Sequence, residues 1–189
     1  MVERLRVTVV GAGVFGLAAA VSLSQRGHAV TVLEAGDIPS EKASSNDVSK
    51  ALRLEYGPLS SVYAPWVLQA RDRWRELERR SGRAIYHESG YLAISLRFSP
   101  GGFEYQSWRW ACEAGLPVER LTPREAALRF PAFSFAGVEA CTFDPIGGWL
   151  DPAQALPAFA EVAARAGADI RTRTPVAAVR ALPGDAILV

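Results

Sequence analysis

Two cysteines and two histidines are all that 189 residues offer to thiol or soft-metal chemistry. Cys112 and Cys141 stand far apart without a CxxC pair, and neither has a histidine nearby. The sequence therefore predicts no metal site and no dithiol redox centre, and both cysteines read as buried thiols. Charge of one dominant sign is missing too: 21 basic residues face 20 acidic ones, for a net charge of +1. That balance gives no electrostatic footprint for nucleic acid or acidic lipid. No apolar run approaches the roughly 20 residues that span a bilayer, and no basic n-region leads into a cleavage site near the N-terminus. Repeats and low-complexity tracts are absent. The expectation is a cytoplasmic globular chain, one domain or parts of two, without nucleic-acid or membrane partners.

What is present begins at once. Arg6-Val7-Thr8-Val9-Val10, of which Val7 to Val10 read as a buried parallel strand, runs directly into Gly11-Ala12-Gly13-Val14-Phe15-Gly16. A Gly-x-Gly-x-x-Gly triplet alone is weak evidence, but this copy follows a strand and opens a helix. Gly11 permits the tight turn, Gly13 keeps a Cβ away from an approaching pyrophosphate, and Gly16 lets helix and strand pack closely. The helix is predicted from Val14 to about Arg26, with Leu17, Ala20, Val21 and Leu23 on its apolar face and Gly27 ending it. Its N-terminus offers free N–H groups and the positive end of the helix dipole to an anion. A second strand, His28 to Leu33, ends at Glu34, 18 residues beyond Gly16 of the glycine motif. A carboxylate there accepts hydrogen bonds from ribose hydroxyls and repels a 2′-phosphate, which argues against NADP. The whole is a dinucleotide-binding βαβ unit.

Further along, Asp37 to Asn46 is too rich in turn formers to be regular. Tyr63 to Arg80 reads as a helix with Pro65 in its first turn and Trp66, Ala70, Trp74 and Leu77 at helical spacing. Its arginines alternate with Asp72, Glu76 and Glu78, which fits a solvated face rather than a nucleic-acid stripe. From Ile85 the pattern turns to strand, with Gly90 to Leu96 alternating, then a helical piece around Tyr105 to Ala114. Thr122-Pro123-Arg124-Glu125 is a helix start with threonine at N-cap and glutamate at N3, and that helix stops before Pro131. Val138 to Phe143 is the next strand. A helix restarts at Asp151-Pro152 and runs to Gly167, followed by strands over Asp169–Thr174 and Val176–Leu182. The fold class expected is α/β: a Rossmann-like domain interrupted by a strand-rich α+β domain. The boundaries expected are 1–84 for the first part, 85–145 for the insertion and 146–189 for the return.

The segment Ala43-Ser44-Ser45-Asn46-Asp47-Val48-Ser49-Lys50-Ala51-Leu52-Arg53-Leu54-Glu55-Tyr56-Gly57, after the glycine motif and Glu34-Ala35, resembles the flavin-facing loop of the FAD-dependent amine oxidases. These are the sarcosine oxidase and N-methyl-tryptophan oxidase type, within the D-amino-acid oxidase superfamily. Phe143-Asp144-Pro145, Gly147-Gly148-Trp149-Leu150-Asp151-Pro152, Gly167-Ala168 and Thr174-Pro175-Val176 resemble the same family's return to its FAD domain. The resemblance implies FAD as cofactor, an amine or amino acid as substrate, and oxidation of its C–N bond to an imine. It implies that Gly11, Gly13 and Gly16 hold the pyrophosphate, and that Glu34, followed by Ala35, holds the adenosine ribose. By the same resemblance Ser44 and Ser45 lie beside pyrophosphate and flavin, and Val176 meets the adenine through its backbone. The flavin-proximal basic position falls on Lys50, and the arginine that grips a substrate carboxylate falls on Arg53.

Two positions depart from the pattern. Lysine at 50 replaces the more usual arginine and has no planar fork, and Asn46 stands where sarcosine oxidase has a histidine. The family also continues well beyond the length seen here. Ala186-Ile187-Leu188-Val189, after a Pro183-Gly184-Asp185 turn, reads as the second arm of a hairpin with exposed apolar edges. A complementing chain or a further half of the fold is therefore expected, and the isolated polypeptide is expected to bind FAD weakly. Other readings stay open at this point. Lys50 can be a surface lysine and Arg53 a structural ion-pair partner. The chain can be a nicotinamide-dependent dehydrogenase, or a non-catalytic nucleotide-binding fragment.

Overall fold

In a computed structural model of the chain, the structure describes residues 3–181 and 187–188. The elements in chain order are β1 (Arg6–Val10), α1 (Val14–Gln25), β2 (Ala29–Leu33), β3 (Lys50–Leu52), α2 (Ser60–Ser81), β4 (Tyr86–His87), β5 (Tyr91–Ser95), α3 (Phe103–Glu113), β6 (Glu119–Leu121), α4 (Pro123–Arg129), β7 (Ala140–Asp144), β8 (Gly148–Leu150), α5 (Pro152–Arg165), β9 (Asp169–Arg171), β10 (Arg180–Ala181) and β11 (Ile187–Leu188). They form two compact units. The first comprises residues 1–49, 76–85 and 151–189; the second comprises 50–75 and 86–150.

The first unit is the βαβ unit with its return. β1 and β2 pair in parallel with Arg6 opposite Ala29 and Val10 opposite Leu33, and β9 joins in parallel on the other side of β2. A helix crossover is what allows β1 and β2 to run parallel. α1 and α5 cover this sheet: Leu17 and Ala20 of α1 share one apolar cluster with Val30 and Val32 of β2 and Leu156 and Ala163 of α5. α1 ends as the sequence predicts. Gly27 (φ 87°) donates to the Ser24 carbonyl and His28 to that of Leu23, so the last turn's acceptors are satisfied. α5 begins on Asp151, whose carboxylate accepts the Ala153 and Gln154 amides, with Pro152 in the first helical position.

The second unit holds two antiparallel three-stranded sheets, ordered β3-β8-β4 and β5-β7-β6. One apolar cluster gathers Leu52, Leu54, Ala64, Val67 and Tyr86 with Ala111 and Val118. The other gathers Leu121, Ala126, Phe135, Cys141 and Phe143. α4 carries the capping box legible in the sequence: Thr122 accepts the Glu125 amide and Glu125 accepts the Thr122 amide.

Several expectations are revised. The units do not divide at 84/85 and 145/146. Residues 50–75 group with the insertion, because β3 pairs with β8 while Leu52 and Leu54 pack in the second unit's core. α2 starts at Ser60 rather than Tyr63, so Pro65 lies inside the helix and not in its first turn. A single 3-10 turn over Gly57–Leu59 leads straight into α2 and extends it backwards. β3, β6 and β8 were not predicted, since three-residue strands carry too little alternation to register. The strand expected over Val176–Leu182 is confined to Arg180–Ala181, which pairs antiparallel with Ile187–Leu188; Leu182 and the Pro183-Gly184-Asp185 turn lie outside the described residues. Cys141 is buried as expected, but Cys112 is exposed. No helix among the described residues is long and apolar enough to cross a membrane, and they contain no cluster of potential metal ligands.

Candidate functional site

The glycine loop is built by contacts that only glycine allows. Gly11 has φ 95°, in the left-handed region, and its amide donates to the Leu33 carbonyl at 2.8 Å, tying the end of β1 to the end of β2. At Gly16 a Cβ would stand 2.0 Å from the Gly11 carbonyl oxygen and 3.2 Å from Val9. The first turn of α1 therefore lies directly on the loop. Gly13 is the N-cap and has no side chain to cap the helix. Ser45 takes over part of that task, its Oγ accepting the Val14 amide at 3.2 Å. It lies 3.1 Å from where a Gly13 Cβ would stand.

Glu34 completes this cradle. It is only 9% exposed, and both carboxylate oxygens are anchored: Oε2 accepts the Ala12 amide at 2.7 Å and Oε1 the Gly36 amide at 2.9 Å. A carboxylate has about four lone-pair sites, so two backbone donors leave acceptor capacity for hydroxyl groups. The return segment is stitched to the same place, with the Thr174 amide on the Glu34 carbonyl at 2.8 Å and the Arg173 amide on that of Gly36 at 3.0 Å. Arg173 adopts φ 53°, unusual for a residue with a side chain, while its guanidinium pairs with Asp37 at 3.0 Å. Val176 follows, half-buried and outside regular structure. Gly11, Gly13, Gly16, Glu34 and Ser45 are thus brought together, with the turn through the exposed Ala35 beside them. Ser44 is exposed at the edge of the polar loop. The N-terminus of α1, a glycine floor and an anchored carboxylate fit a dinucleotide such as FAD.

Lys50 and Arg53 belong to the second unit. Lys50 is half-buried at the start of β3, opposite Leu150 of β8. Arg53 is half-buried just after β3, with Leu52 and Leu54 on either side turned into the core. Its Nη1 donates to the Glu55 carbonyl. Three rings surround the guanidinium, Tyr56 with its centroid at 5.1 Å and Tyr91 and Phe103 at 5.8 Å each. Among the described residues it makes no ion pair. The Glu55 carboxylate is instead turned to Thr142, whose hydroxyl donates to it. Burial pushes the Glu55 carboxyl up from its usual range, against the Thr142 hydrogen bond and the charge of Arg53, with Glu104 and Asp144 adding to the rise. Asp144 is raised as well, again by burial, although the amides of Leu54, Ile146 and Gly147 favour its charged form.

The sequence reading missed Glu55, Thr142, Asp144 and the rings around Arg53. Only the alternation of Thr142 and Asp144 with Cys141 and Phe143 signalled polar groups on one face of a buried strand.

Comparison with known proteins decides what this cradle belongs to. The model of the family described as FAD dependent oxidoreductase matches residues 6–189. The chain belongs to this family. Family members are FAD-dependent, which removes the nicotinamide alternative. Among relatives, monomeric sarcosine oxidase of Bacillus sp. (strain B-0618) is 30% identical over 173 residues, covering 90% of this chain and 43% of the relative. L-Saccharopine oxidase of Schizosaccharomyces pombe is 34% identical over 90 residues, 46% of this chain and 20% of its own. Among solved structures, the open form of NikD, an amino acid oxidase of nikkomycin biosynthesis, superposes with a TM-score of 0.81 at 25% identity, covering 98% of this chain and 47% of that one. Glycine oxidase from Geobacillus kaustophilus gives 0.76 at 26%, covering 93% and 49%. The chain spans less than half the length of the sarcosine oxidases it matches.

Proposed function

We propose that this chain supplies the FAD cradle and the carboxylate-holding arginine of a flavoenzyme that oxidises the C–N bond of a secondary amine or amino acid to an imine. The observation that carries the reading is Arg53: a half-buried guanidinium, fixed at one nitrogen by the Glu55 carbonyl and walled by three rings, and in no ion pair among the described residues. An arginine held in this way has donors left for the planar fork that a carboxylate matches.

In this reading Gly11, Gly13, Gly16 and Ser45 face the pyrophosphate. Glu34 takes the ribose beside Ala35, Val176 meets the adenine through its backbone, and Ser44 lies toward the flavin. FAD, when bound, supplies the two-electron acceptor for the amine. Lys50 places a positive charge near the flavin, and Arg53 fixes the substrate's carboxylate so that its α-carbon is oriented for reaction. The remaining cavity wall comes from the portion of the fold that the relatives have beyond the matched span, in the same polypeptide or in a complementing chain. The same coverage favours a second reading for the 189 residues alone, which is weak nucleotide binding without turnover. Two free cysteines accord with a reducing, cytoplasmic setting.

The test is a pair of substrates offered to the FAD-loaded enzyme containing this chain: an N-methyl amino acid and the amine left when its carboxylate is removed. A strong preference for the carboxylated partner, abolished by Arg53→Ala, supports the proposal. Equal use of both by the unaltered enzyme overturns it.

A further inference from the structure

β7 is buried along its whole length, yet its two faces differ in chemistry. Cys141 and Phe143 point into the apolar cluster with Leu121, Ala126 and Phe135. The alternate residues, Thr142 and Asp144, are each 1% exposed and share the opposite face, as the two-residue period of a strand requires. Two polar side chains at such positions are costly unless they are hydrogen-bonded. Two of their partners are adjacent residues far away in the sequence. The Thr142 hydroxyl donates to the Glu55 carboxylate. Asp144 Oδ2 accepts the Leu54 amide at 3.1 Å, while its Oδ1 accepts the Ile146 amide at 2.9 Å within its own turn. The next link is Arg53, whose guanidinium rests on the Glu55 carbonyl.

We propose that Thr142 and Asp144 are positioning residues for Arg53: the polar face of β7 fixes the Leu54 amide and the Glu55 side chain, and the Glu55 carbonyl thus held keeps the guanidinium ready for a carboxylate. The inference rests on the carboxylate-binding reading of Arg53. A role confined to the local turn accounts for the bond from Asp144 to Ile146. It does not account for the bonds to Leu54 and Glu55, which cross 90 and 87 residues of sequence. A guanidinium whose geometry is set before a ligand arrives loses less freedom on binding, and small displacements of its support are felt at the ligand.

The test follows the Arg53 Nε–Hε resonance in the isotopically labelled chain, first alone and then with acetate as the carboxylate probe. In the unaltered chain the Arg53 Nε is expected to be as ordered as the backbone and to shift saturably with acetate. Thr142→Val keeps the side chain's shape and removes the donor. It is expected to lower the order at Arg53 and to weaken acetate binding about three- to tenfold, the loss of roughly one hydrogen bond's contribution. Thr142→Ser returns the hydroxyl and should restore both. Asp144→Asn, measured in the same way, is the second probe should Thr142→Val fail to fold. Unchanged Arg53 order in a folded Thr142→Val or Asp144→Asn chain, even with a lowered melting temperature, overturns the proposal. Loosening of Arg53 in the variants, combined with no acetate response in the unaltered chain, supports the positioning and refutes the carboxylate reading.

Discussion

The Glu34 carboxylate accepts the Ala12 amide at 2.7 Å, so the acidic end of β2 is bonded to the glycine loop itself. The residue that sequence reading assigns to a ribose also shapes the floor on which the pyrophosphate is expected to lie. Glu34→Gln keeps one acceptor but turns an amide NH2 toward either the Ala12 or the Gly36 N–H. A hydrogen bond to a charged group contributes about 1.5–3 kcal/mol. The variant is expected to lose thermal stability by that order and to bind FAD at least about tenfold more weakly, as read by calorimetric titration.

Gly16→Ala tests the closeness of the loop to α1. The added methyl meets the Gly11 carbonyl at 2.0 Å, a backbone atom with no rotamer to escape into. Overpacking costs about 1–3 kcal/mol, and the unfolding midpoint is expected to fall by several degrees, with FAD affinity falling alongside it. Gly115→Ala makes a control, since a Cβ there meets nothing within 4 Å although its φ of 68° carries its own strain; that variant should leave FAD affinity unchanged.

The pH dependence of stability has a definite sign. Glu55 and Asp144 both hold their protons more tightly in the folded chain than their ordinary values of 4.5 and 3.8 imply, chiefly because of burial. Over the range above those values the folded state binds more protons than the unfolded one, so stability falls as pH rises through the folded pKa values. Glu125 is shifted the other way by its bonds to Thr122, and its contribution is lost only as pH falls below the ordinary value. As pH rises above those ordinary values the unfolding midpoint is therefore expected to decrease until the folded pKa values are passed, and Glu55→Gln should flatten that slope.

Arg53→Lys separates charge from geometry. Lysine keeps the positive charge but loses the planar fork that three rings and the Glu55 carbonyl now hold. In the FAD-loaded enzyme, KM for a carboxylated amine is expected to rise about ten- to a hundredfold in Arg53→Ala, with less recovery in Arg53→Lys than charge alone would give, while FAD binding is retained.

Much of the first unit was legible because its signals are local. A strand, a glycine turn, a helix with its Gly27 end and a terminal carboxylate occupy one continuous stretch, and each constrains the next. The Thr122–Glu125 cap was legible for the same reason. The second unit was not, because its short strands are fixed by partners distant in sequence: Lys50 to Leu52 become β3 only through pairing with Gly148 to Leu150. The bonds from Thr142 and Asp144 to Glu55 and Leu54 are of the same kind. Arg53 could be picked out by resemblance, but the groups that hold it could not. Ser45 was placed near the pyrophosphate by resemblance, whereas its bond to the Val14 amide needed the fold.

The measurement that bears most directly on the central claim is a titration of FAD into the 15N-labelled chain, followed residue by residue, which detects even the weak binding expected of this portion of the fold. The account requires the amides of Gly11, Ala12, Gly13, Val14, Ala35 and Gly36 to shift together along one saturable curve. Shifts confined to other surfaces, or none at these positions up to millimolar FAD, would contradict it.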